Sequence, residues 1–421
     1  MEKTNVELNP QNEYNFEIFF KSINSIKALA ILGVILGHLL RPPKELGFDI
    51  LYFWYPGGVG LNIFVFLSGF LLMVGLLRKN IEEHSWVRWF KSRIIKIFPL
   101  LIISTLAVLL VRFLVYGDEY SLNSILIHMG GTGSTPNHPD FFLINPHHWY
   151  ITLILSCYLI FPIFYYLIKK NCRLILILST SFFIIYSFLF QLIPSMMVSI
   201  TYIPRYFLFI FGMLFGFWIG KENLKNLNFF GKNRKAVLLL SLSFIVLLLF
   251  SILFHFYSLS ILRVVFLSLI SIVITLLLIF FFKHKTKTNR ILNIVGNKTY
   301  EIYLFQFLII ILIYRIDTLL NGPASLWLIF IPLTFILSIL IAYPFYYIGA
   351  LINKAKSLHS LILVICSSLI LYGFVANFIG LFNSTLLTNY KPLVIFGILV
   401  ISLFLIHYYL NYRRSNSLLD D

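Results

Sequence analysis

Uninterrupted apolar stretches recur along this chain, each about 18 to 24 residues long and each able to cross a hydrocarbon core roughly 30 Å thick as an α-helix. Almost all the Lys and Arg lie in the short segments between them. Strand alternation is absent and the runs are too long for barrel strands, which excludes an outer-membrane barrel. Charged residues make up only 12% of the sequence against 59% hydrophobic, too few to solvate the surface of a water-soluble domain. The expected fold class is all-α: a polytopic integral membrane helical bundle of about twelve spans.

Spans are expected near 21–40, 58–77, 97–116, 148–168, 173–192, 202–220, 236–256, 260–282, 299–319, 325–348, 360–382 and 390–411. Basic residues set the orientation. With the N-terminus inside, the cytoplasmic linkers and C-terminal tail hold 23 Lys and Arg, while the opposite side holds 3: Arg41, Lys44 and Lys391. That asymmetry predicts that both termini, 1–20 and 412–421, are cytoplasmic. The net charge of +17 therefore reports topology and not nucleic-acid binding. No small-residue cleavage site follows the first span, so an uncleaved first helix is expected. Cys157, Cys172 and Cys366 lie in or beside spans without metal-binding or disulfide spacing, and read as packing residues. The outer loop 117–147 has no Lys or Arg, is too short for a folded domain, and carries Asp118, Glu119, Asp140, His128, His138 and His147, with His148 following. Segment 79–96 is basic with Trp86, Trp89 and Phe90 interleaved, the pattern of a separate helix lying at the cytoplasmic interface.

Several polar residues stand out against this background. Lys27 and His38 share one face of the first span, about 16 Å apart along the axis. An ionisable group inside a span is costly and points to function: a neutral imidazole can take a proton from a hydroxyl, and Lys27 can pair with an anion. The plainer reading puts His38 in the interfacial zone and lets Lys27 snorkel to headgroups. Arg93 and Lys96, three apart, present two cations suited to a phosphate-bearing ligand, although positive-inside topology alone also places them there. Gly57, Gly58, Gly60 and Gly69 suit close helix packing, and Ser68 could hydrogen-bond across such an interface. Trp149 and Tyr150 read first as an aromatic interface anchor. Arg205 opens the sixth span, facing either a polar ligand or headgroups, and Glu301 opens the ninth.

Taken in order, these segments resemble the acyltransferase type 3 family of bacterial membrane acyltransferases. Lys27 through Gly37-His38 resembles the family's Arg, ten residues, His signature. Phe66-Leu67-Ser68-Gly69-Phe70 resembles its Ser-Gly-Phe segment, and Arg93-Ile94-Ile95-Lys96 followed by Pro99 its Arg-x-x-Arg-Pro segment. Trp149-Tyr150 through Tyr158 and Pro162, Arg205 through Gly212, and Gly296 through Tyr300-Glu301-Ile302-Tyr303-Leu304 complete the resemblance. It covers 21–350 as one membrane domain of ten spans; 351–411 adds two further helices. The sequence departs from the pattern at Lys27 and Lys96 (usually Arg), Asn24 (commonly Asp), Ile154 (often Glu) and Gln306 (often His).

The resemblance implies a multi-pass protein of the bacterial inner membrane that transfers an acyl group, acetyl above all, from acyl-CoA to a hydroxyl of an envelope glycan or exopolysaccharide. It implies His38 as catalytic base or acyl relay, and Lys27, Arg93 and Lys96 as ligands of the donor's phosphates. Ser68, Trp149, Tyr150, Arg205, Glu301, Tyr303 and Gln306 would line the substrate pocket. No metal and no permanently bound cofactor are implied; acetyl-CoA or another acyl-CoA is the co-substrate, and the lipid bilayer and the glycan are the partners. The donor's pantetheine arm would run along the face joining Lys27 to His38. The competing reading is a transporter or flippase of a lipid-linked sugar, but its ionisable groups would gather at the midplane, whereas here they crowd toward the two faces.

Overall fold

A computed structural model describes residues 10–39, 56–78, 85–131, 144–192, 203–221, 238–247, 249, 260–283, 290–320, 327–355, 359 and 361–370. Its principal elements are α1 (Pro10–Leu39), α2 (Pro56–Arg78), α3 (Trp86–Tyr116), α4 (Leu122–Met129), a 3-10 turn (Pro146–His148), α5 (Trp149–Leu192), α6 (Ile203–Lys221), α7 (Ser260–Lys283), α8 (Arg290–Asn297), α9 (Thr299–Leu320) and α10 (Trp327–Lys354). No strand occurs among the described residues. Among the described residues seven helices are long and apolar enough to cross a membrane, carried by α1, α2, α3, α5, α6, α9 and α10. The expected spans 148–168 and 173–192 are the two halves of α5, which meet at the non-helical backbone of Asn171; its Oδ1 accepts the Leu174 N–H at 3.0 Å and starts the second half. Span 260–282 corresponds to α7, whose apolar part is Phe266–Phe282. Spans 236–256 and 360–382 are described only at Leu238–Leu247, residue 249 and Leu361–Ile370; 390–411 lies outside the described residues.

One expectation changes. The helix assigned to 79–96 is not separate: beyond 79–84, which lie outside the described residues, Ser85 caps a single helix that continues through Pro99 to Tyr116. At 1.5 Å per residue α3 is about 46 Å long, so its first turns, bearing Arg88, Lys91, Arg93 and Lys96, extend past what a hydrocarbon core requires. It stops at Gly117, whose left-handed φ of 71° lets its N–H return to Phe113 O. The segment after α3 contains α4, started by Ser121 and carrying a buried His128.

The chain divides into two compact units. One comprises Met1–Glu83, Ser156–Tyr303 and Leu319–Ile339; the other comprises His84–Leu155, Leu304–Thr318 and Leu340–Asp421. In the first, helices approach closely where side chains are missing, because lipid supplies no hydrophobic drive for helices to associate. A Cβ on Gly69 of α2 would strike Phe209 O of α6, and one on Gly212 of α6 would strike Phe66 O of α2, so each glycine receives the other helix's backbone. Gly60 does the same for α1 at Ala30 O. Asn62 Nδ2 donates to Ser271 Oγ at 3.2 Å and ties α2 to α7. Among the described residues Ser68 makes no bond across the interface; it donates to Phe64 O of its own helix at 2.8 Å. In the second unit, Tyr116 OH donates to Ile311 O at 3.3 Å, and Phe305 stacks on Phe345 with centroids 3.7 Å apart. Cys157 and Cys366 are buried and Cys172 half-buried, all as thiols.

Gly69→Ala should destabilise the protein by about 1–3 kcal/mol, the usual cost of overpacking. Gly75→Ala, where an added methyl meets nothing within 4 Å, should be neutral or stabilising. Thermal midpoints in detergent distinguish the two.

Candidate active site

Lys27 and His38 both sit half-buried on α1. Lys27 Nζ donates to Asn24 Oδ1 at 3.3 Å, and Asn24 Nδ2 donates in turn to Asn293 Oδ1 of α8 at 3.0 Å. Close packing permits this contact: a Cβ on Gly296 would overlap Asn24 O, so only glycine lets α8 settle against α1. An amide in place of a carboxylate orients the ammonium without cancelling its charge. The stripe from Lys27 to His38 is filled. Ile31 and Val34 between them are fully buried, and Val34 packs on Gly60. The face expected to guide the pantetheine arm is therefore a closed apolar seam in this conformation.

The other predicted residues of the first unit are Ser68, Arg205, Glu301 and Tyr303. Arg205 is buried at the start of α6, not extended toward headgroups, and Tyr206 beside it shares a 2.8 Å hydrogen bond with Ser156. Glu301 is half-buried in the first turn of α9, and Tyr303 is buried. In the second unit, Arg93 lies half-buried with its guanidinium 5.3 Å from the Trp89 ring centroid, and Lys96 three residues on is exposed. Trp149 and Tyr150 are half-buried and meet edge to face. Gln306 is fully buried, and neither its amide oxygen nor its nitrogen has a hydrogen-bond partner among the described residues.

Sequence reasoning gave no site role to the polar groups along the C-terminal half of α3. Arg112 Nε donates to Asp118 Oδ2 at 2.7 Å, Arg112 Nη1 to Ile144 O at 3.3 Å, and Tyr120 OH to Asp118 Oδ2 at 3.0 Å. Desolvation pushes the Asp118 carboxyl up, but hydrogen bonds from Arg112 and Tyr120 and the guanidinium charge together hold it below the ordinary carboxylate value. Burial, together with the hydrogen bond to Asp118, raises the Tyr120 phenol to about 12. Further along the chain, Asn145 caps the Pro146–His148 turn, and His148 Nε2 lies 3.4 Å from Ser104 Oγ. Arg112 and Ser104 are about 12 Å apart along α3, so segment 144–148 runs inward beside that helix. Non-helical backbone at such a place is tolerated where protein surrounds it. Asn followed by Pro at the first helical position was the signal available in the sequence.

The chain belongs to the acyltransferase type 3 family: residues 20–343 match its acyltransferase domain. No curated protein and no solved structure matches the chain. The family and the long apolar helices together define a membrane acyltransferase.

The Arg112–Asp118 pair is part-exposed and worth on the order of 1 kcal/mol. The folded carboxyl titrates below its ordinary value of 3.8, so its contribution is complete above pH 3.8 and disappears as pH falls through the lower folded value. Asp118→Asn should lower the thermal midpoint at pH 7 by a few degrees, with the gap to wild type closing as pH falls below 3.8.

Proposed function

We propose that this membrane acyltransferase moves an acyl group, acetyl in the first instance, from acyl-CoA to a hydroxyl of an envelope glycan. Support comes above all from the family match over 20–343, within which α1 carries an oriented cation and an imidazole at the two ends of one stripe. His38 takes the proton from the acceptor hydroxyl as its oxygen attacks the thioester carbonyl. The C–S bond breaks, and the departing coenzyme A thiolate recovers the proton. Arg93 and Lys96 bind the donor's phosphates from the cytoplasm, with Lys27 assisting; two cations on one helix face suit a polyanion. Arg93 resting on Trp89 supports this role, because the ring directs the guanidinium. Lys at 27 and 96 in place of Arg keeps the charge and gives up bidentate geometry. Ser68, Trp149, Tyr150, Arg205, Glu301, Tyr303 and Gln306 contribute to substrate binding. Both termini lie in the cytoplasm, as the basic linkers direct, and the protein resides in the bacterial inner membrane.

His38→Ala, inserted in the membrane at wild-type level, should lose about 10²- to 10⁴-fold in transfer rate, the usual contribution of a general base. Arg93→Ala should instead raise the KM for acyl-CoA about ten-fold, with Arg93→Lys intermediate. Undiminished transfer by His38→Ala removes the imidazole from the chemistry.

A further inference from the structure

Segment 144–148 has no role in the account so far, yet it delivers a buried imidazole, His148, only 1% exposed, to the side of α3. The position of its ring hydrogen follows from its partners. Asn145 Oδ1 accepts the His147 N–H at 3.0 Å, which only the amide oxygen can do, so the atom facing His148 Nε2 at 3.0 Å is Asn145 Nδ2. An amide nitrogen donates. His148 Nε2 therefore accepts, and the neutral ring carries its hydrogen on Nδ1. Ser104 is compatible with either tautomer, since its hydroxyl donates to Leu101 O at 2.9 Å and lies 3.4 Å from Nε2, so the assignment rests on Asn145. His148 Nδ1–H is thus a buried donor with no acceptor among the described residues. Native proteins keep few such groups, because their desolvation is costly.

A second unsatisfied group lies in the same unit. Gln306 of α9 is fully buried with both amide atoms unmet among the described residues, and its neighbour Phe307 packs against His147 with ring centroids 4.7 Å apart. A donor at His148 and a donor-acceptor amide at Gln306 suit a ligand whose groups both accept and donate, as hydroxyls do. Charge narrows the choice. The first turns of α3 carry Arg88, Lys91, Arg93 and Lys96, whereas at its other end Asp118, Glu119 and Tyr120 help line an open cleft of about 360 Å³. The carboxylates of Asp118, paired with Arg112, and of Glu119 accept from hydroxyls. Arg112, bonded to both Asp118 and Ile144 O, fastens that cleft to the segment bearing His148.

We propose that His148, through its Nδ1–H, donates a hydrogen bond to an oxygen of the carbohydrate acceptor and so helps hold it in this unit. With Nε2 tied to Asn145, His148 is a binding residue and not the base that deprotonates the acceptor. Naming the ligand as the acceptor rests on the acyl-transfer reading above.

Gln and Asn separate the roles of the two ring nitrogens. His148→Gln places its amide near Nε2, keeping the Asn145 contact and losing the Nδ1 donor; His148→Asn places its amide near Nδ1 and loses the Asn145 contact. Full-length protein in detergent is titrated with alkali-treated, ester-free envelope polysaccharide from the source cells, without acyl-CoA. His148→Gln should melt within about 2 °C of wild type and bind the polysaccharide about ten-fold more weakly. His148→Asn should melt several degrees lower yet bind more tightly than His148→Gln. Equal binding by wild type and His148→Gln, or no binding by wild type, overturns the proposal. If neither variant folds, ¹⁵N-histidine NMR of the wild type decides: an Nδ1–H ring at pH 7 that shifts on adding polysaccharide supports it, and an Nε2–H ring or an unmoved signal overturns it. Binding is read without the donor, so a protein that binds through His148 but turns over no acyl-CoA sinks the transferase reading alone.

Discussion

Helices in a bilayer gain nothing from hiding apolar side chains from lipid that is equally apolar, so close backbone contact must supply the cohesion. In the first unit that contact is made by glycine. Gly69 and Gly212 let α2 and α6 receive each other's carbonyls, and Gly60 brings α2 onto α1. The placement of Lys27 uses the same device. Gly296 lets α8 press on α1 at Asn24, which places Asn293 where it can hold Asn24 and, through it, Lys27. A methyl at that glycine would displace the helix that orients the cation, although the residue touches no charged group itself.

The second unit solves a different problem, that of keeping polar groups inside an apolar protein. Arg112 answers it by sharing its donors between Asp118 and the Ile144 carbonyl, so that the end of α3, the loop after it and segment 144–148 are joined through one side chain. Asn145 uses both ends of its amide, the oxygen for the turn and the nitrogen for His148. Against that economy, the unmet atoms of Gln306 and His148 Nδ1 stand out among the described residues.

The long spans among the described residues were legible because hydropathy over twenty residues is a local property, and the break at Asn171 agrees with two expected helices. Continuity was harder to read. Basic and aromatic residues at 86–96 look the same on an interfacial helix and on the overhanging first turns of a longer one, and only the Ser85 cap and the unbroken backbone through Pro99 decide. Asn24 was visible as a departure from the family pattern, but its partner Asn293 lies 269 residues away, beyond any local signal. His148 was noticed only as one of several loop histidines, since its tautomer depends on how a three-residue turn directs the Asn145 amide. The Lys27 and His38 spacing was legible, whereas the filling of the stripe between them by Ile31 and Val34 was not, because apolar residues on a span predict burial without saying against what.

The central claim is that the acyl group leaves a thioester and arrives on a sugar hydroxyl through this one chain. Purified protein in detergent or nanodiscs, given acetyl-CoA labelled in the acetyl group together with ester-free envelope polysaccharide, tests it most directly. The account predicts label on the polysaccharide, released by mild alkali as acetate, with free coenzyme A formed in equal amount. Label that remains entirely on coenzyme A, or emerges only as free acetate with none on the polysaccharide, would contradict it.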